Sequence, residues 1–175
     1  MKIRKLILAS LLASLAVVLT RFFGYSVGSF RISLGTIPIM LSGIILGPWY
    51  GFSTGAVADM VGYLINPMGG AYFPGFTLTA ALVGFIPGFL LRKRHITLLN
   101  LIIVVGVTEL LGHVFLNTLW VSMITGKAYI ALLPTRLISR IVHYPIITGV
   151  LYFILYKGLV PSGDNTVKSN CLKAS

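Results

Sequence analysis

Long apolar runs, broken by short stretches rich in glycine, proline and arginine, dominate this chain. A helix rising ~1.5 Å per residue needs ~20 mostly apolar residues to cross a hydrocarbon core of ~30 Å. Six runs answer to that pattern and predict spanning helices over residues 6–25, 35–46, 50–65, 75–91, 98–121 and 129–156. The second and third are short for a crossing, which implies tilt or a partly re-entrant path. Gly47-Pro48-Trp49-Tyr50-Gly51 predicts a tight connection between them. Residues 66–75 predict a Gly/Pro-rich loop that also carries Tyr72 and Phe73, with Phe76 just beyond. These rings suit an interfacial aromatic belt or a lid over a ligand.

The first run opens with Lys2, Arg4 and Lys5, as a secretory signal would. Its apolar stretch is longer than a signal core, no small-x-small cleavage site follows, and Arg21 sits near its end, so a retained helix is expected. Lys and Arg also set the orientation. Lys2, Arg4, Lys5, Arg92, Lys93, Arg94, Lys157, Lys168 and Lys173 all fall on one side of an even number of spans, against Arg31 and Lys127 on the other. The positive-inside rule then predicts cytoplasmic N- and C-termini. The expected architecture is all-α: a six-transmembrane-helix bundle over residues 1–157, followed by a polar, disordered cytoplasmic tail over 158–175.

Composition sharpens this reading. Apolar residues make up 57% of the 175, and charged residues 10%. Mean hydropathy is +0.96. A soluble domain is about 25% charged. The net charge of +11 could suggest a nucleic-acid partner, but its charges are few and scattered among apolar runs, so none is expected. The single cysteine, Cys171, excludes an intramolecular disulfide and a cysteine-based zinc site.

Motifs for chemistry are sparse. There is no G-x-x-x-x-G-K-[ST] loop, so ATP hydrolysis by this chain is not expected. His95, His113 and His143 lack metal-ligand spacing, and no metal is expected. Gly51-Phe52-Ser53-Thr54-Gly55 matches G-x-S-x-G, but a nucleophile elbow needs a strand-to-helix turn, and this motif opens an apolar helical run. Small residues there serve helix packing. An intramembrane serine hydrolase pairing Ser53 with His143 is the alternative of another class.

The polar residues within the spans say more, because charge inside a membrane is costly and faces a cavity or a partner. Glu109, His113, Asn117 and Trp120 share one face of the fifth run at helical spacing, and Arg136, Arg140 and His143 share one face of the sixth. Counting from the outer ends, Arg140 lies nearest Glu109, while Arg136 and Arg21 lie closer to the outside. Asp59 lies near mid-membrane. Arg21, Arg136 and Arg140 outnumber Asp59 and Glu109 within the spans. One reading is an internal ion-pair lattice of Glu109 with Arg140 and Asp59 with another arginine. The other is an anion site, since the guanidinium fork grips a carboxylate or phosphate. With Trp120, Tyr72, Phe73 and Phe76 at the outer level, such a pocket suits an aromatic, carboxylated small molecule. In the first run Ala9 and Ala13 form a small-xxx-small pair, fit for packing inside the bundle or for docking another membrane subunit.

Several segments together resemble the substrate-binding S components of energy-coupling factor (ECF) transporters, most closely the folate-specific members. They are Ala9-x-x-x-Ala13, Ile37-Pro38-Ile39-Met40-Leu41-x-Gly43-Ile44 running to Gly47-Pro48, and Gly55-Ala56-x-Ala58-Asp59. The folate-like parts are Tyr72-Phe73-Pro74-Gly75-Phe76-Thr77-Leu78-Thr79-Ala80-Ala81 and Leu132-Leu133-Pro134-Thr135-Arg136. The resemblance implies a multi-pass protein of the bacterial cell membrane that captures a vitamin from outside. It implies no enzyme activity and no cofactor. Docking would run through Ala9 and Ala13 onto a transmembrane coupling subunit, with ATP used by two separate ATPase subunits. The loops around Arg31 and over 66–75 would act as lids. The candidate ligand contacts are Arg21, Asp59, Tyr72, Phe73, Phe76, Thr77, His113, Asn117, Trp120, Arg136 and Arg140. Arg21 and Arg136 would meet the glutamate carboxylates of folate, Asp59 or Asn117 the pterin edge, and the aromatic side chains the rings. An S component for a different vitamin is the nearest alternative.

Overall fold

The structure is a computed structural model that describes residues 2–22, 25–27, 30–32, 34–65, 72–92, 97–126 and 128–156. The side chains of residues 2, 25–27, 30–32, 131, 132, 135, 136 and 142 lie outside that description. So do the tail over 158–175, which was expected to be disordered, and loop residues 66–71.

The fold is helical. Helix α1 (Lys2–Arg21) leads into a short antiparallel pair, β1 (Tyr25–Val27) and β2 (Phe30–Ile32), with Tyr25 opposite Ile32. Then follow α2 (Thr36–Leu46), α3 (Pro48–Ile65) and α4 (Pro74–Leu91). The next rod runs unbroken through α5 (Leu98–Thr108), a π-helical segment (Glu109–Leu116) and α6 (Asn117–Thr125), and α7 (Tyr129–Tyr156) closes the bundle.

The ends of these elements follow from local chemistry. Gly47 (φ 110) stops α2, its N–H bonding Gly43 O at 3.1 Å, and Pro48 starts α3 at once, where its missing N–H costs nothing. Pro74 likewise opens α4. Gly126 (φ 66) ends α6 in the left-handed conformation that glycine adopts without strain. Two expectations are corrected. The first helix stops at Arg21 instead of reaching Tyr25, because Tyr25 begins a strand; the β1–β2 pair is thus a small exception to an all-α fold.

Among the described residues, four stretches are long and apolar enough to cross a membrane: Ile3–Arg21, Pro74–Leu91, Leu98–Thr125 and Leu137–Tyr156. Helix α2 is apolar but shorter. It is buried nearly all round, with Met40 and Ser42 fully inaccessible, and α1, α3, α4 and α7 pack against it. A helix apolar all round is one that other elements enclose, which fits its place at the centre of the bundle. Large apolar side chains such as Leu6, Leu11, Leu15, Ile103, Ile141 and Phe153 stand exposed on the outer surface, where lipid solvates them.

Helices α2, α3 and α4 approach to backbone contact. A Cβ added at Gly43, Gly51 or Gly84 would run into a carbonyl of a neighbouring helix. The G-x-S-x-G sequence is part of this seam: Gly51 packs on Gly84 and Gly55 on Ala80. Beside it, Ser42 and Thr54 share a buried 2.8 Å hydrogen bond between α2 and α3.

Candidate ligand-binding site

One end of the bundle gathers the last turn of α1, the last turns of α3 and the first turns of α4. Thr77 of α4 donates to Asp59 Oδ2 of α3 at 2.8 Å and lies 2.9 Å from the Tyr72 hydroxyl. The Tyr72 ring rests on Tyr63 with centroids 5.1 Å apart. Arg21 reaches in from α1 and lies across Gly62, where a Cβ would come 2.7 Å from Arg21 Nε. Gly62 follows Asp59 by three residues, one helical turn, so the Arg21 guanidinium rests on the stretch of α3 that carries Asp59. A side chain at position 62 would displace the guanidinium.

The same turns of α4 carry an aromatic group. Phe73 lies 5.9 Å from Phe76 and 5.4 Å from Trp120, centroid to centroid. Trp120 Nε1 donates to Thr79 Oγ1 at 3.1 Å, and Thr79 in turn bonds Gly75 O at 3.0 Å. A Cβ at Gly75 would stand 2.6 Å from Trp120 Cδ2, so glycine is what admits the indole. Flat rings near an arginine and a carboxylate suit an aromatic anion.

Deeper in the bundle, Arg140 Nη1 of α7 meets Glu109 Oε2 at 2.8 Å and His143 Nδ1 at 3.2 Å, while His113 Nε2 stands 4.0 Å from Glu109 Oε1. Glu109 is 3% exposed. This pair borders a cleft of about 330 Å³ between α5 and α7, walled by Gly106, Leu110, Val114, Leu137, Ile141 and Tyr144. Glu109 therefore has its own arginine, the pairing the lattice reading gave it. Arg140 is engaged by Glu109 and His143 and is not a surplus cation. The side chain of Arg136 lies outside the described residues, as do those of Arg31 and Lys127. Asn117 is partly buried at the start of α6, just after the π segment.

Two other sequence assignments meet different surroundings. Ala9 and Ala13 are 8% and 7% exposed, turned into the bundle where α1 packs on α2 and α3. Leu11, Leu15 and Val18 stand on the open face of the same helix. Ser53 sits on the exposed face of an ordinary α-helix, bonding Tyr50 O at 3.0 Å, and His143 is engaged by Arg140. Neither has the geometry of an activated nucleophile and its base. Sequence reasoning missed Gly62, Gly75 and Thr79 as shapers of the site. Small residues three or four positions from a polar or aromatic candidate are the signal that could have found them.

The bundle, its exposed apolar surface and the length of its apolar helices are those of a helical membrane protein. The family described as ECF transporter, substrate-specific component, matches residues 4–160, and the chain belongs to it. It is accordingly a transporter component and not an enzyme. Among its relatives, the folate transporter FolT of Clostridium novyi (strain NT) is 34% identical over 151 residues, covering 86% of this chain and 87% of that one. FolT of Leuconostoc mesenteroides is 29% identical over 161 residues, covering 87% and 84%. A crystal structure of FolT bound with folic acid superposes with a TM-score of 0.77 at 36% identity, covering 85% of this chain and 90% of the other.

Proposed function

We propose that this protein is the folate-capturing subunit of a bacterial ECF importer. The observation that carries the reading is its likeness, along most of its length, to the folic acid-bound FolT structure. The chemistry of the bundle end supports it. Folate offers a flat pterin, a benzoyl ring and two carboxylates. Arg21 and Arg136 take the carboxylates, Asp59, Thr77 or Asn117 the pterin edge, and Tyr72, Phe73, Phe76 and Trp120 the rings. His113 and Arg140, one layer deeper and tied to Glu109, support this site from below.

In this reading all six helical rods lie in the plasma membrane with both termini cytoplasmic, which the Lys/Arg distribution supports. The ligand enters from outside. The chain needs no cofactor; two ATPase subunits burn ATP and a transmembrane coupling subunit receives the chain. The face of α1 open to that subunit carries Leu11, Leu15 and Val18. Ser10 and Ser14 repeat the small-residue spacing there, each hydroxyl bonded back to its own helix at 3.0 Å.

The test is a folate titration of detergent-purified protein by tryptophan fluorescence, with native mass spectrometry of whatever co-purifies. Of the two tryptophans, Trp49 is 73% exposed and Trp120 lies in the aromatic group. Quenching is expected to saturate and to persist in Trp49→Phe. No quenching, with another compound bound, would reassign the vitamin. Ser53→Ala is expected to leave folate affinity and thermal stability unchanged, and the wild type to take no fluorophosphonate label; a label abolished by the substitution would revive the hydrolase.

A further inference from the structure

The rod Leu98–Thr125 contains eight consecutive π-helical residues, Glu109–Leu116. The π-helix is rare and appears mostly as single-turn bulges, so a run of this length needs something to hold it. Both of its flanks are held. On one, Glu109, its first residue, is pinned across to Arg140 of α7 at 2.8 Å. A guanidinium only donates, so His143 Nδ1 accepts from Arg140 and fixes its orientation. On the other, Gly112 is pressed on α4, where a Cβ would come 2.7 Å from Val83 Cγ2 and 3.9 Å from Thr79 Cγ2. Thr79 is the residue that receives the Trp120 indole.

We infer that Glu109 and Arg140 are positioning residues for Trp120: their ion pair holds the π segment in register and thereby sets where the indole points in the candidate site. The mechanism is geometric. An i→i+5 turn takes about one residue more than an α turn, so each π turn that reverts rotates everything beyond it by roughly one residue, ~100° of azimuth. Trp120 stands four residues past the run. A rotation of that size carries it off Thr79, off Gly75 and away from Phe73. Glu109 is 3% exposed, so the pair is screened far less than a surface ion pair would be. The pair reaches the site through the helix and not by touching the ligand. The folate arm of the test rests on the proposed function; the spectroscopic arm needs no ligand.

The experiment uses full-length protein carrying Trp49→Phe, so that Trp120 is the sole reporter. Glu109→Gln combined with Arg140→Met removes both charges and strands neither. In this variant Trp120 emission is expected to shift to the red with lower anisotropy, and folate Kd to rise about tenfold. Arg140→Lys, which keeps a cation against Glu109, is expected to retain the wild-type spectrum and to lie within about threefold in Kd. Glu109→Asp, which shortens the carboxylate arm without removing charge, is expected to give an intermediate spectrum. It carries the test if the double variant does not purify folded. Unchanged Trp120 emission in the charge-removed or shortened variant overturns the inference. So does a weaker Kd with an unchanged spectrum, which would make Arg140 a direct ligand contact. If the parent protein binds no folate, the functional reading fails while the spectra still decide this one.

Discussion

Arg21→Ala is expected to weaken folate binding by about two orders of magnitude, the largest effect of any single substitution in the site. Truncating one partner of a desolvated, hydrogen-bonded charge pair costs about 2–5 kcal/mol, and ~1.4 kcal/mol is tenfold in Kd. Arg21 is placed for that role by its surroundings. It ends α1 and lies on Gly62, one turn along α3 from the Asp59 carboxylate that Thr77 engages. Removing it takes away a fork for the ligand's carboxylate and leaves Asp59 uncompensated. The two effects separate in an Asp59→Asn background. If Arg21 grips the ligand, Arg21→Ala still weakens binding there; if it only neutralises Asp59, the second loss largely disappears. Arg21→Lys restores the charge but not the planar fork, and is expected to recover only part of the affinity. Folate titration of the four proteins decides it. An Arg21→Ala protein binding within threefold of wild type removes Arg21 from the site.

The sequence carried some of this and hid the rest, for identifiable reasons. Apolar runs bounded by Gly and Pro announced the helices, and Gly47-Pro48 marked a turn that is that tight in the fold. Helical spacing and antiparallel depth brought Glu109 to Arg140, because the rod Leu98–Thr125 and α7 follow one another through a short loop and have comparable lengths. The β1–β2 pair was missed because three-residue strands lie below the length at which alternation shows. Gly28-Ser29 between two β-prone triplets was its one available signal. The π segment left no trace in the pattern: residues four apart still share a face, as Glu109 and His113 do, so an α reading fits equally well. For Ala9 and Ala13, small-xxx-small spacing marks close approach without saying to what; in the chain by itself both are little exposed where α1 packs on α2 and α3.

That same spacing has its largest structural consequence in the seam of α2, α3 and α4, and Gly84→Val is expected to prevent recovery of folded protein. A Cβ at position 84 would come 2.5 Å from the Gly51 carbonyl carbon, and the Gly84 carbonyl itself fills the space that a side chain at Gly43 or Gly51 would occupy. These neighbours are backbone, so no rotamer change relieves the clash and three helices must separate together. Overpacking a core costs about 1–3 kcal/mol where side chains can yield, and more is expected where they cannot. Lipid is as apolar as the helix surfaces, so close van der Waals packing holds the bundle, and the seam is where that packing is tightest. Gly84→Ala is the milder case, expected to lower the unfolding midpoint in detergent by about 5–10 °C. The control is Gly149→Ala on α7, where an added Cβ meets nothing within 4 Å. Relieved of glycine's entropy cost in a helix, about 1 kcal/mol, that protein is expected to be as stable as wild type or slightly more so. Equal midpoints for the two alanine variants would show that the three backbones have room to spare, and the seam would lose its part in holding α3 and α4, and with them Asp59 and Thr77, in register.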